Sequence, residues 1–380
     1  MLLAALAAGS PVAAGAPDAA PPSAPPTVAP VDDLRSPEVH ADRTVTLRLR
    51  APHATAVTVA GEWTHPAPNA PQKLTRDGSG VWSITVGPLE PNIYFYVFDV
   101  DGMTIIDPIN PLIKLRARTS ASMVEVPGGK PWEFRDVPHG TVEVNIHAAR
   151  TLGGAMRQVF VYTPPGYDRR AASRYPVVYL LHGNNDLAAG WTMAGRANLT
   201  LDNLIAERKV APMIVAMPWG HALPFGARPP AGQPSNNDLF GRYLYDDVMP
   251  LVERKYRVAA GRNNHALVGL SMGGAQALQI ALDHPATFGW LGIFGSGETR
   301  ADFDSHHAAA ARALAAKKLD LLFIGVGNED PVRPRAKELS QALAAQGLTP
   351  VYQEVDGGHA YPTWRKLWVE TAPRLFHRGH

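Results

Sequence analysis

Two rhythms of apolar and polar positions divide this chain. From Arg43 to about Val126 the apolar residues come in short alternating runs, "TVTLRLRAP", "ATAVTVAGEW", "GVWSITVGPL" and "NIYFYVFDVDG", separated by Gly, Pro, Asn and Asp. A period of two puts successive side chains on opposite faces of a strand, so this stretch predicts a small antiparallel β-sandwich over residues 40–126. Within "NIYFYVFDV", Tyr94, Tyr96 and Phe98 share one face and Ile93, Phe95 and Val97 the other; one of these faces must be core. The breaker-rich "PGGKPWEFRDV" that follows predicts a linker over 127–139.

From about Gly140 the rhythm changes. Apolar runs without polar alternation, "YPVVYLLHG", "PMIVAMPWG", "HALVGLS", "WLGIFGSG", "LDLLFIGVGNED" and "PVYQEVDGGH", are separated by helix-like segments near 201–208, 239–256, 275–283, 308–318, 336–346 and 363–375. Strands of that kind are buried on both faces and the helices between them supply the covers. Residues 140–380 therefore predict an α/β fold, a mainly parallel sheet with helices on both faces.

Composition narrows the partners. A chain of 380 residues is long enough for both predicted domains to bury a core. The net charge is only +2 and no dense Lys/Arg run occurs, which argues against nucleic acid as a partner. There is no cysteine, so disulfides, zinc-thiolate sites and thiol nucleophiles are excluded. Residues 1–30 combine a short apolar stretch, an A-x-A-like site at Ala14-Gly15-Ala16 and a Pro/Ala-rich tract, without a basic n-region. That pattern predicts a secretory signal and a secreted or periplasmic protein. No apolar run approaches the roughly 20 residues of a membrane span.

The candidate chemistry centres on Gly269-Leu270-Ser271-Met272-Gly273, a G-x-S-x-G pattern placed between the strand "HALVGL" and the helical "GGAQALQIAL". Strand, sharp turn and helix are the context in which such a serine is exposed as a nucleophile. A serine hydroxyl needs a histidine to take its proton, and the histidine needs an acid to orient it. His359 in "VDGGHAYPTW" follows the last predicted strand, and Asp330 closes "LLFIGVGNED", with Glu329 as the competing acid. The order Ser271, Asp330, His359 is that of α/β-hydrolases. The oxyanion should meet the backbone N–H of Met272 and one from Gly183 or Asn184 in "HGNND", with His182 buttressing that loop. No cofactor or metal is required: His306-His307 lacks a third ligand at sensible spacing, and Gly325-x-Gly327 lacks the rest of a dinucleotide fingerprint. Trp63 and Trp82 either stack on sugar or pack within the sandwich.

On these residues the region from about Gly140 to Arg374 resembles the esterase D-like serine esterases, above all feruloyl esterases of the first carbohydrate-esterase family. The stretches that carry the resemblance are "VFVYTPPGYD", "YPVVYLLHG", "GRANLTLDNLIAERKVAPMIVAMP", "VGLSMGGAQAL", "GNED" and "GGHAYPTW". It implies an α/β-hydrolase fold with Ser271 as nucleophile, Asp330 as acid and His359 as base. The first domain looks like the Ig-like early-set or carbohydrate-binding domain found before isoamylase and glycogen-branching catalytic domains, which implies either carbohydrate contact there or a packing domain that shapes the edge of the cleft. Where the family often reads "MPNG" and "HGIGG", this chain has "MPWG" and "HGNND", and Trp191, Trp219 and Phe225 are candidates for an aromatic substrate wall, with ordinary core packing the alternative for each. The implied substrate is a feruloyl or acetyl ester of a plant cell-wall polysaccharide or its fragments. A siderophore esterase, a mycolyl-type acyltransferase and a non-enzymatic carbohydrate-binding protein are the alternatives.

Overall fold

The structure, a computed structural model, describes residues 33–64, 69–230 and 232–377. The signal-like segment at 1–30 lies outside the described residues.

Residues 38–126 form two antiparallel sheets that face each other. One runs in the order Glu38–Val39, Val45–Arg50, Val81–Val86, Thr75–Arg76. The other runs Gln72–Lys73, Val57–Gly61, Asn92–Val100, Ala121–Val126, Ile113–Lys114, with Met103–Ile105 also paired to Asn92–Val100. Alternate residues of both sheets, among them Val45, Leu47, Val59, Tyr94, Tyr96 and Phe98, make the sandwich core. Trp63 and Trp82 belong to it too, each buried, with indole N–H groups donated to Gln72 Oε1 and Ala51 O. They pack the sandwich and offer no face to a sugar.

The second sheet has eight strands, in the order Thr141–Ala149, Ala155–Thr163, Ile214–Pro218, Val177–Leu181, His265–Leu270, Trp290–Phe294, Leu321–Gly327, Pro350–Val355. The first two form an antiparallel hairpin that joins Ile214–Pro218 antiparallel, and the other six are mutually parallel. All six predicted parallel strands are present; the outer hairpin, whose apolar positions alternate, completes the edge. This is the α/β-hydrolase architecture.

The continuous apolar runs are explained by burial on both faces. Val177, Tyr179, Leu181, Leu267, Ile293 and Ile324 pack under the helices Asn236–Tyr243, Met249–Lys255, Met272–Asp283 and Arg333–Ala345. Their alternates Val178, Leu180, Val268, Leu270, Phe294 and Phe323 pack on the opposite side with the helices Ala197–Ala206 and Tyr361–Thr371. The cover on that side is not helical throughout, because Ile93, Phe95, Ala121 and Met123 of the sandwich are part of the same cluster. Both faces of "NIYFYVFDV" are therefore core: Tyr94, Tyr96 and Phe98 inside the sandwich, Ile93 and Phe95 against the hydrolase domain. Fully burying a side chain such as Phe95 contributes about 2–3 kcal/mol.

The predicted linker is docked in the same way. Trp132 is buried in the shared cluster, and Asn203 donates its amide to Pro131 O and Glu133 O at 2.7 and 2.8 Å. The fully buried Arg365, on the helix Tyr361–Thr371, donates to Asn92 Oδ1, Ile93 O and Ala194 O, and its guanidinium lies 5.7 Å from the Trp132 ring. Residues 35–380 accordingly form one compact unit.

Candidate active site

Successive strands leave Val177–Leu181 in opposite directions: Ile214–Pro218 lies on one side of it and His265–Leu270 on the other. The loops at the carboxyl ends of those central strands diverge, and an open α/β sheet has its crevice at that point. "HGNND" leaves one strand there and Ser271 the other.

Ser271 adopts φ 51° and ψ −118°, a strained backbone for a residue with a Cβ. Two close approaches enforce the turn. A Cβ on Gly269 would lie 2.1 Å from Gly273 O, and one on Gly273 would lie 2.6 Å from His182 O. Strand, elbow and helix can meet only because both positions lack a side chain. The Ser271 N–H is tied to Phe294 O at 2.8 Å, so the elbow is anchored to the neighbouring strand.

His359 stands in the loop after Pro350–Val355. Its Nε2 is 2.9 Å from Ser271 Oγ and its Nδ1 is 2.8 Å from Asp330 Oδ2. Asp330 is 3% exposed, follows Leu321–Gly327, and also accepts from Val332 N–H. Glu329 is exposed, and it is Asp330, not Glu329, whose carboxylate meets His359 Nδ1. A carboxylate accepting from Nδ1–H leaves Nε2 as the acceptor for a hydroxyl proton, the arrangement that activates a serine. Gly357 takes φ 125° and packs against Thr363, whose Oγ1 would meet its Cβ at 2.4 Å; the double glycine thus shapes the loop.

The loop facing Ser271 is set by His182. This buried imidazole accepts the Gly220 N–H at Nε2 (2.8 Å) and so must donate from Nδ1 to Gly183 O (2.8 Å). Burial holds its pKa down at about 4. Because C=O and N–H of a trans peptide point in opposite directions, fixing Gly183 C=O also fixes the N–H of Asn184. Asn184 O in turn lies 2.6 Å from His221 Nε2. Gly183 itself lies against the elbow: a Cβ there would be 3.3 Å from Ser271 Cβ. Met272 opens the helix Met272–Asp283, so its N–H has no acceptor within that helix.

Around Ser271 and His359 lies a cavity of about 280 Å³. One side is built from Gly183, Asn184, Asn185, Asp186, Tyr361 and Trp364. The sandwich supplies the rest of the wall with Glu62, Phe95, Lys114 and Arg116. The Trp364 ring meets His359 edge to face at 5.1 Å. Buried Asp186 accepts from Tyr361 O–H at 2.5 Å and pairs with Lys114 Nζ at 3.5 Å, while Lys114 sits 4.9 and 4.4 Å from the Phe95 and Tyr361 rings. Burial pulls the Lys114 pKa down, and the Asp186 carboxylate opposes that pull.

Of the aromatic wall expected from sequence, none lines this cavity. Trp191 is fully buried, donates to Leu181 O and packs against Phe294, Tyr361 and Trp368, so it is core. Trp219 lies under the Arg157 guanidinium at 5.3 Å, and Phe225 packs on His221 beneath Arg118. The aromatic lining is instead Phe95, Tyr361 and Trp364. The last two stand two and five residues after His359, a spacing visible in the sequence; Phe95 is in the sandwich. No group of three or more His, Cys, Asp or Glu side chains able to hold a metal occurs among the described residues, and no described helix is long and apolar enough to cross a membrane.

A family model described as "Putative esterase" matches residues 150–375. Over 352 residues the chain is 29% identical to an endo-1,4-beta-xylanase/feruloyl esterase of Xylanibacter ruminicola, covering 90% of this chain and 46% of that protein. Thus it spans less than half of that relative's length. Among solved structures, the enterobactin esterase of Shigella flexneri superposes with a TM-score of 0.63 at 18% identity, covering 88% of this chain and 93% of that one. A ferulic acid esterase of Anaeromyces mucronatus gives 0.55 at 23% identity, over 66% of this chain and 96% of that one. At such identities the structural likeness speaks for the fold.

Proposed function

The chain belongs to the Esterase family, and from that premise we propose that it is a serine carboxylesterase acting through an acyl-enzyme, on feruloyl or acetyl esters of plant cell-wall polysaccharides. The observation that carries this reading is the unbroken line Ser271 Oγ, His359 Nε2, His359 Nδ1, Asp330 Oδ2, with contacts of 2.9 and 2.8 Å. Ser271 attacks the ester carbonyl as His359 takes its proton, and the N–H groups of Met272 and of the Gly183/Asn184 loop receive the oxyanion. The tetrahedral intermediate collapses, the alcohol leaves with the proton from His359, and water repeats both steps on the acyl-enzyme. The feruloyl part of the reading rests on the Xylanibacter ruminicola relative and the aromatic lining of the cavity. Export to where such polysaccharides lie is suggested by the N-terminal sequence pattern alone. A contact of the sandwich with carbohydrate would have to use residues other than Trp63 and Trp82.

One observation favours a second reading, a siderophore esterase of the enterobactin type: the likeness to the Shigella flexneri enzyme extends over 88% of this chain. A panel of methyl ferulate, 4-nitrophenyl acetate, acetylated xylan and enterobactin, run on wild type and Ser271→Ala, separates the two. Preference for methyl ferulate or acetylated xylan supports the first reading and preference for enterobactin the second. Ser271→Ala should lower kcat by more than about 10⁴-fold, and retained turnover would remove Ser271 from the mechanism.

A further inference from the structure

The wall that the sandwich contributes is charged, and its charges are unevenly matched. Lys114 has Asp186 as its partner. Arg116 also lines the cavity, half-buried, with its guanidinium 5.5 Å from the Phe95 ring, and among the described residues it makes no ion pair or side-chain hydrogen bond. Glu62 shares the wall; one of its oxygens is taken by the Phe95 N–H at 3.0 Å, and burial pushes its pKa up against the opposing pull of that hydrogen bond and of the Lys114 and Arg116 charges, so it attracts Arg116 without forming an ion pair or hydrogen bond with it. The wall is left with a guanidinium whose five donors have no fixed acceptor, half-buried in the same cavity as the Ser271 hydroxyl.

Resting on the esterase reading above, we propose that Arg116 forms an anion subsite that holds a carboxylate carried by the ester substrate, away from the scissile bond. A guanidinium presents paired N–H groups at the spacing of the two carboxylate oxygens, and its attraction strengthens where water is excluded. Its position 5.5 Å from the Phe95 ring places the cation against an aromatic face in the cavity wall. The carboxylate has two possible origins, the acyl part or the sugar and alcohol part, and the chemistry that Arg116 reads is the same for both.

The test compares matched pairs. On the acyl side the pair is 4-nitrophenyl butyrate and the 4-nitrophenyl monoester of glutaric acid; on the alcohol side it is methyl ferulate and carboxymethyl ferulate. The expected result is a kcat/KM ratio of anionic to neutral ester of about 10 or more in one pair, falling roughly 10- to 100-fold in Arg116→Met and partly restored in Arg116→Lys. The ratio should also fall as salt is raised. Arg170→Met, at the far end of the parallel strands, should keep the wild-type ratio. The subsite is overturned if neither pair shows a preference, or if the preference survives in Arg116→Met. Failure of the esterase reading looks different, as it shows in the absence of turnover of the neutral esters themselves.

Discussion

Lys114 and Asp186 meet at 3.5 Å across the seam between the β-sandwich and the eight-stranded sheet with its loops, each less than a tenth exposed. Asp186 ends the "HGNND" loop beside Ser271, and Tyr361, which also holds it, stands two residues past His359. The pair therefore ties a sandwich strand to both loops of the candidate site. Lys114→Met should cost about 3 kcal/mol in denaturant unfolding, because it leaves the Asp186 carboxylate buried with one partner fewer. It should also lower kcat more than it raises KM, and Lys114→Arg should recover part of both. Equal stability of wild type and Lys114→Met would show that the pair does not hold the seam.

Phe95 lends one face of its strand to the hydrolase core. Phe95→Ala should destabilise by about 3–5 kcal/mol, a core-sized loss for a residue on the face of its strand that points away from the sandwich interior. The two domains should then unfold in one transition, monitored by circular dichroism and tryptophan fluorescence. A loss below 1 kcal/mol, or two resolved transitions, would contradict a shared core.

Gly269→Ala places a methyl 2.1 Å from Gly273 O, a distance that only backbone movement relieves. The expected penalty is about 1–3 kcal/mol of stability, together with loss of ester turnover as Ser271 shifts from His359. A variant with wild-type kcat would show that the elbow tolerates the added atom.

His182 should make stability fall with acid. Its folded pKa of about 4 lies below the ordinary 6.5, so the unfolded chain binds the proton more readily. The contribution of the neutral ring is complete above pH 6.5 and is lost progressively as pH falls toward 4, where protonation would set an N–H of the ring against the Gly220 N–H. The difference amounts to about 3 kcal/mol. Unfolding free energies at pH 7 and pH 4 for wild type and His182→Gln measure it: wild type should lose that much more than the variant, and parallel losses would refute it.

The sequence by itself determined the fold class and the three residues that the structure brings into line. Each rests on local signals: apolar runs of strand length, breakers at strand ends, and the glycines flanking Ser271. Asp330 and His359 were legible because a parallel sheet delivers every strand end to the same edge, so position along the chain translates directly into position in space.

Only the tertiary structure decided the cavity wall. Trp191, Trp219 and Phe225 are aromatic and near the right loops in sequence, yet Trp191 is swallowed by the core, and the lining falls to Phe95, Tyr361 and Trp364. Glu62, Phe95, Lys114 and Arg116 come from a domain whose periodicity announces a sandwich with an outer face in water. Alternation tells which side chains share a face but not what that face meets. The second face of Asn92–Val100 became core because the hydrolase sheet left part of one side without a helix, and packing between distant segments filled it.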